Sequence, residues 1–442
     1  MPESPSRSWS LPKRIGYRAL LAYLFLFFFP FPAGLVNPGW LGGAFDRVWA
    51  RVIPWFGGLL HIGIPRLNNG GSGDSTFDQL RVVCMAIVAM AAAAVWSFVD
   101  RKRADYRTLN AYARIWMRYV LAVCMLTYGS VKVLMVQFEP PGYGRLIQPV
   151  GEMSPMALLW TFMGSSALYT TFTGVTEVAA GLLLLFRRTT TLGALVAAAI
   201  MTNVFVLNLS YDVPVKLGSL HILILAIVLL GPEAGRLIDF LVLNRPTGPA
   251  DLGPVPSSRA VAWSLAGLKL VLVVGLLGYL SWDTVTQYRD HIARREKEPV
   301  APEGNYTVDS FTRDGRKVRP PVLNPDDFEW KTFSLREGVI GIRTGFGPVR
   351  RFRAAGDITH HPTALVPLDE DSRLIPGAAP AGVLEFAATP NGGAHVTGFF
   401  VNHAVDAELQ RRNASDMPLL SRGFHWVSEA PYFHMFASDK GR

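Results

Sequence analysis

Glu177 lies in the middle of an apolar run, Ser165 to Phe186, that is long enough to cross a bilayer. Moving a carboxylate to mid-membrane costs at least about 2.5–3.5 kcal/mol on insertion scales, so such a residue faces protein or a cavity rather than lipid. Tyr169 and Thr173 stand eight and four residues before it and share its helix face. Lys132, one turn after Tyr128, lies near the end of an earlier apolar run, and Asn203, Asp212, Lys216 and His221 lie in or beside later ones. A carboxylate, amines and an imidazole in an apolar setting are the parts of a proton-active site. Glu177 would take up or release the proton, with Lys132 and Lys216 setting its charge. His221 would act as a relay, because imidazole changes charge near neutral pH. Tyr128, Tyr169, Thr173, Asn203, Asp212 and His221 would line the pocket. The same residues also suit a structural role. A Glu–Lys pair can fix helix register, Asp212 can brace a turn, and Asn or Tyr can bond between helices for about 0.6–2 kcal/mol each.

The elements that must hold these residues are read from hydropathy. Half of the 442 residues are hydrophobic and the mean hydropathy is +0.24, which favours a membrane protein before any motif is considered. A hydrocarbon core of about 30 Å needs about 20 apolar residues in a helix. Seven stretches qualify, at roughly 17–36, 81–99, 116–136, 165–186, 189–209, 217–241 and 261–282. Pro30 and Pro32 should break the outer end of the first, and Gly231-Pro232-Glu233 should stop the sixth near Leu230. Basic residues before the first span, between spans two and three, between four and five, and after six all fall on one side if the N-terminus is cytoplasmic. Seven spans then put everything after Trp282 outside, and the polar residues open toward that external face. The formal charge of +9 follows from this topology, and no nucleic-acid recognition motif is present. The first span reads as a retained anchor, since its apolar run is long and no small-x-small cleavage site follows it.

Residues 1–114 form N-terminal anchor spans with an external loop, in which Phe45 to Trp55 reads as an amphipathic helix with Trp49 and Trp55 as interfacial anchors. Asn68 to Asp74 reads as a flexible turn. Residues 115–245 form the membrane bundle, with an external loop from Gln137 and a short re-entrant or surface helix over Met156 to Met163. A cytoplasmic Pro/Gly/Ser linker covers 246–260, and the seventh span and a stalk cover 261–300. From about Tyr306 the composition changes to short β-prone runs punctuated by Gly, Pro, Asn and Asp, such as Trp330 to Leu335, Gly338 to Arg343, Gly382 to Phe386 and His395 to Val401. This predicts a small external all-β domain over 301–442.

Several cofactors are argued against. His221 alone among the histidines lies inside a span, so a membrane haem with paired axial histidines has no ligands. The two cysteines, Cys84 and Cys124, sit in apolar helices without a CxxC partner, which leaves no iron–sulfur cluster or thiol relay. No glycine-rich strand–helix unit points to a nucleotide. Six histidines follow residue 359 (His360, His361, His395, His403, His425 and His434), in no metal-ligand spacing, and read as surface residues. The aromatic, charged segment Ser421 to Glu429 reads as a closing strand or a binding edge. Redox chemistry would then depend on a diffusible quinone or a partner subunit, with membrane lipid and an external protein as further partners.

The passage Tyr128-Gly129-Ser130-Val131-Lys132 and the later Gly174-Val175-Thr176-Glu177-Val178-Ala179-Ala180-Gly181, followed by a leucine run and Arg187-Arg188, resemble DoxX-like membrane proteins. That family typically has G-x-x-K late in one helix and G-x-x-E-x-x-x-G in a later one, which Lys132 and Glu177 match. The resemblance covers about residues 115–235. It implies a four-helix membrane bundle, and one branch of the family serves as a membrane subunit of thiosulfate:quinone oxidoreductase. Three further spans and the β domain set this chain apart from the compact family pattern. The leading expectation is an inner-membrane subunit of a quinone-linked redox or oxidative-stress system. Two alternatives stand beside it: a non-catalytic scaffold that recruits a partner through the β domain, and a small-solute transporter.

Overall fold

The computed structural model describes residues 9–31, 38–64, 73–146, 148, 150–249, 303–317, 329–336, 338–344, 349–359, 361–369, 373–390, 392–412 and 418–421, with scattered positions between 258 and 289. The chain divides into two compact units, Met1–Glu139 with Ser154–Ile292, and Pro140–Met153 with Ala293–Arg442.

The first unit is helical. Its elements are α1 (Leu11–Phe28), α2 (Pro38–Leu59), α3 (Thr76–Val99), α4 (Arg107–Val133), α6 (Pro155–Ser165), α7 (Ala167–Leu185), α8 (Thr190–Ser210), α9 (Lys216–Leu230) and α10 (Ala234–Leu241); the short α5 (Tyr143–Leu146) belongs to the second unit. Local sequence explains the ends. Ser75 and Asp78 form a reciprocal capping box at the start of α3. Ser154 and Ser166 accept backbone N–H bonds at the starts of α6 and α7. α1 stops at Phe28, before Pro30, and α9 stops at Leu230, where Gly231–Glu233 forms a 3-10 turn into α10.

α4, α7, α8 and α9 contact one another in a closed order, while α1 and α2 pack on α3. Small and branched residues fill the four-helix core, with Leu121, Ala122, Ala180, Leu184, Ala194, Ala197, Leu225 and Ala226 all fully buried. α2 is amphipathic as its sequence indicates, but its Trp49 and Trp55 part company. Trp49 packs with Ile53 against Phe77, Leu80 and Cys84 of α3, whereas Trp55 is 65% exposed. Cys84 and Cys124 are both free thiols.

Among the described residues, four stretches are long and apolar enough to cross a membrane: α3, α7, α8, and α9 with its continuation to Leu241. Only between 22% and 39% of each apolar window is buried within the chain. Such large apolar faces are stable only against lipid or another protein. Basic residues dilute α1 (Lys13, Arg14, Arg18) and α4 (Arg114, Arg118, Lys132), and several of these find partners inside the fold. The expected seventh span lies largely outside the described residues. Its described positions are helical, and Val273 packs on the four-helix core.

The second unit holds a β-barrel. Its strands are β1 (Gly304–Arg313), β2 (Arg316–Lys317), β3 (Trp330–Arg336), β4 (Val339–Thr344), β5 (Val349–Ala354), β6 (Thr363–Pro367), β7 (Gly382–Ala388), β8 (Ala394–Phe400) and β9 (His403–Arg412). The sheet runs antiparallel in the order β2-β1-β3-β4-β5-β6-β7-β8-β9, and β1 also pairs with β9 along its length. Eight strands therefore close into a barrel, with β2 a hairpin flap on β1. Asp314 and Gly315 make that hairpin with φ of 50° and 76°, as a two-residue turn between twisted strands requires. An eight-stranded barrel is just wide enough for side chains to fill. Here Trp330 lies centrally, parallel to Phe333 at 6.0 Å and edge-on to Phe400 at 5.3 Å.

Candidate functional site

α4 and α7 meet through glycine. A Cβ placed on Gly129 would lie 2.8 Å from the Gly174 oxygen, and one on Gly174 would lie 2.7 Å from the Gly129 oxygen. Seven residues further along α7, a Cβ on Gly181 would come 2.7 Å from Leu126 Cγ. Side chains larger than hydrogen at these points would force the helices apart, the usual reason for small residues at close helix crossings. Lys132 and Glu177 each stand three residues after one of the crossing glycines, so the crossing sets them side by side. Lys132 Nζ donates to Glu177 Oε1, and both residues are buried, 7% and 2% exposed. The second carboxylate oxygen, Oε2, is buried without a hydrogen-bond partner. A buried acceptor left unpaired is costly, and one lying beside a buried ion pair is a candidate point of ligand or proton attachment.

The remaining expected site residues separate into distinct groups. Lys216 pairs with Asp212 at 2.8 Å and also lies 3.8 Å from Asp74. Asp74 caps α9 by accepting from the N–H groups of Lys216 and Leu217 at 2.6 and 2.8 Å. The end of the segment expected to be a flexible turn is thus pinned to a helix start. His221 Nδ1 lies 2.6 Å from the Leu217 carbonyl oxygen, which only accepts, so Nδ1 carries a proton. In the neutral ring Nε2 then accepts from the Tyr23 hydroxyl at 2.5 Å, while Phe27 stacks on the ring at 3.6 Å. Asn208 donates to Ser219 at 3.0 Å between α8 and α9.

Tyr128 and Tyr169 are 47% and 42% exposed, and Tyr169 packs edge-on against Phe162. Thr173 donates to the Thr170 carbonyl within its own helix, and Asn203 is exposed. The structure therefore brings Lys132 to Glu177, Lys216 to Asp212, and His221 to a residue the sequence reading does not single out, Tyr23. Asp74 is a second residue of that kind. Tyr23 sits in an aromatic-rich helix where nothing local distinguishes it, and Asp74 in a glycine-rich turn. For Lys132 and Glu177 the sequence carries two signals, a charge inside an apolar run and the spacing shared by Gly129-x-x-Lys132 and Gly174-x-x-Glu177.

In the barrel, His395 pairs with Asp406 at 2.9 Å and His403 with Asp314 at 2.8 Å, all on the outside. The hydrogen bond from His403, with the Ala404 N–H, holds Asp314 below the usual carboxylate range. His361 is exposed. His360, His425, His434 and nearly all of the segment Ser421 to Glu429 lie outside the described residues. Among the described residues no three His, Cys, Asp or Glu side chains converge as metal ligands.

These features define a class: a chain of helices, four of them among the described residues long and apolar enough to cross a membrane, followed by a C-terminal eight-stranded β-barrel. The chain belongs to the family of the uncharacterized protein YwoB of Bacillus subtilis (strain 168). The two are 31% identical over 122 residues, which make up 26% of this chain and 71% of the relative. No family model matches the chain, and no solved structure matches it.

Proposed function

We propose that this chain is a multi-pass inner-membrane protein of DoxX-like character, whose Lys132–Glu177 pair is a proton-active site for a quinone-like carrier. It would serve as a subunit of a quinone-linked redox or oxidative-stress system. The observation that carries this reading is the Glu177 carboxylate, with one oxygen held by Lys132 and the other buried and unpaired. That free oxygen suits a ligand that donates a hydrogen bond, as a quinol hydroxyl does, and a dry site strengthens such a bond. A quinone supplies two-electron, two-proton chemistry that the side chains themselves lack, with the electrons passing to a partner subunit. Glu177 holds or accepts the proton at Oε2, and Lys132 balances the carboxylate charge so that the site tolerates ionisation. The DoxX-like assignment rests on the glycine–charge motifs alone.

The exposed apolar helix faces support the membrane location. Orientation is supported by where basic ends meet: Arg14 donates to the Arg103 carbonyl, and Arg114 and Arg236 both reach Glu233. These groups cluster at one end of the helices, which the positive-inside rule makes cytoplasmic. The barrel is then external. Mass spectrometry of small molecules that co-purify with the detergent-solubilised protein tests the reading. A stoichiometric quinone is expected, lost in Glu177→Gln. A folded wild-type protein without quinone, and with thermal stability equal to the variant, would overturn it.

The aromatic filling of the barrel favours a second reading, in which the barrel acts through its outer face as a docking platform and the membrane unit is a scaffold. On that reading Glu177→Gln changes stability alone.

A further inference from the structure

An apolar groove of about 400 Å³ opens between α1, α3 and α4, walled by Leu21, Ala22, Phe25, Trp96, Tyr112 and Trp116. Its α1 wall belongs to a longer stripe, because Arg14, Arg18, Leu21, Ala22 and Phe25 recur at helical spacing on one face. At about 1.5 Å per residue, Arg14 stands roughly 10 Å beyond Leu21 along that stripe. There the stripe reaches a basic rim. Arg14 donates to the Arg103 carbonyl at 2.5 Å, and the Trp9 N–H donates to the Ala104 carbonyl at 3.0 Å, so the start of α1 is fastened to the α3–α4 turn.

Lys13, Lys102, Arg103 and Arg107 are all exposed at this rim. Asp100 and Asp105 offset only part of the charge, through Arg103 at 2.8 Å and Arg107 at 3.4 Å. Arg14 retains an Nε with no partner. Arg18, between groove and rim, is spent: it donates to Tyr106 at 2.8 Å, Ser97 at 2.6 Å and the Asp100 carbonyl at 3.1 Å. It therefore braces the three helices and leaves recognition to the rim.

We propose that this groove and rim bind one anionic phospholipid, with an acyl chain along the aromatic walls and the phosphate among Lys13, Arg14 and Lys102. The inference rests on α1, α3 and α4 lying in a membrane. The groove volume is that of a small-molecule site, and its lining is almost wholly apolar. Clustered Lys and Arg beside membrane helices draw anionic headgroups, at about fivefold in affinity per basic residue. Zwitterionic lipid would gain the groove without the rim.

The test is native mass spectrometry of the full-length protein released from nanodiscs containing equal phosphatidylglycerol and phosphatidylcholine. One retained phosphatidylglycerol is expected in preference to phosphatidylcholine. Lys13→Gln with Lys102→Gln, both exposed and tolerant of change, should reduce that preference about fivefold per residue. Ala22→Phe, which fills the groove, should reduce retention of both lipids. Equal retention of the two lipids by the wild type, or an unchanged preference in the double variant, overturns the proposal. Displacement by soluble glycerol 3-phosphate as efficient as by lipid would assign the rim to free phosphate and overturn it too. A chain that stays in solution without detergent would instead overturn the membrane reading itself.

Discussion

The helical unit seals an ion pair between two helices, whereas the barrel keeps its His–Asp pairs outside and fills its interior with aromatic rings. Lys132 and Glu177 are nearly sealed between α4 and α7, but His395–Asp406 and His403–Asp314 are exposed to solvent. The barrel core is built on Trp330, Phe333, Phe386 and Phe400, and within it the Trp330 Nε1 is buried without a hydrogen-bond partner. Desolvating an ion pair costs more than the pair returns unless geometry is favourable and every oxygen is satisfied. Glu177 Oε2 is not satisfied. The difference teaches where to look for chemistry: in the unit that encloses a costly, incompletely paired charge rather than in the one whose described His–Asp pairs face solvent.

The comparison can be broken most strongly at the ion pair. Lys132→Met leaves a buried carboxylate uncompensated and should destabilise the helical unit by about 3–5 kcal/mol, whereas Lys132→Met with Glu177→Leu should regain much of that loss. Thermal unfolding in detergent reads both, and a double variant no better than the single one would show that the pair adds nothing beyond packing. Trp330→Ala should cost the barrel a similar 3–5 kcal/mol, through lost burial and the cavity left behind. Ligand binding by the helical unit should be unchanged, and its loss would show that the two units act together.

Tyr23→Phe removes one hydrogen bond to His221 and should cost about 0.5–1.5 kcal/mol, with packing against Phe27 retained. Unfolding midpoints measure it. The smallest effect belongs to Asp314. Its folded carboxyl sits below its unfolded value, so its contribution is present above about pH 4 and fades as pH falls through the lower folded value. Asp314→Asn should flatten that acid limb of barrel stability, and an unchanged acid limb would place the pH dependence elsewhere.

Helix periodicity and apolar length made α3, α7, α8 and α9 legible, and the proline and glycine stops placed the ends of α1 and α9. Alternation placed β3, β4, β7 and β8. β5 hides behind three arginines, and β9 places small Ala407 on its inward face between Val405 and Leu409, so both carry a weak strand signal. Closure of the sheet through β1 and β9 joins residues about a hundred positions apart, which no local pattern encodes. At the site, Lys132 and Glu177 stood out because charge in an apolar run is expensive. Their choice of each other depends on the helix crossing at Gly129 and Gly174, and the partners of Lys216 and His221 depend on tertiary contacts with Asp74 and Tyr23.

The central claim is that Glu177 exchanges a proton with a bound carrier. Infrared difference spectroscopy on adding quinol to the membrane-reconstituted protein observes that carboxyl directly. The account predicts a change in a protonated-carboxyl band in the wild type that is absent in Glu177→Gln. Equal quinol binding by both proteins with no such change would contradict it.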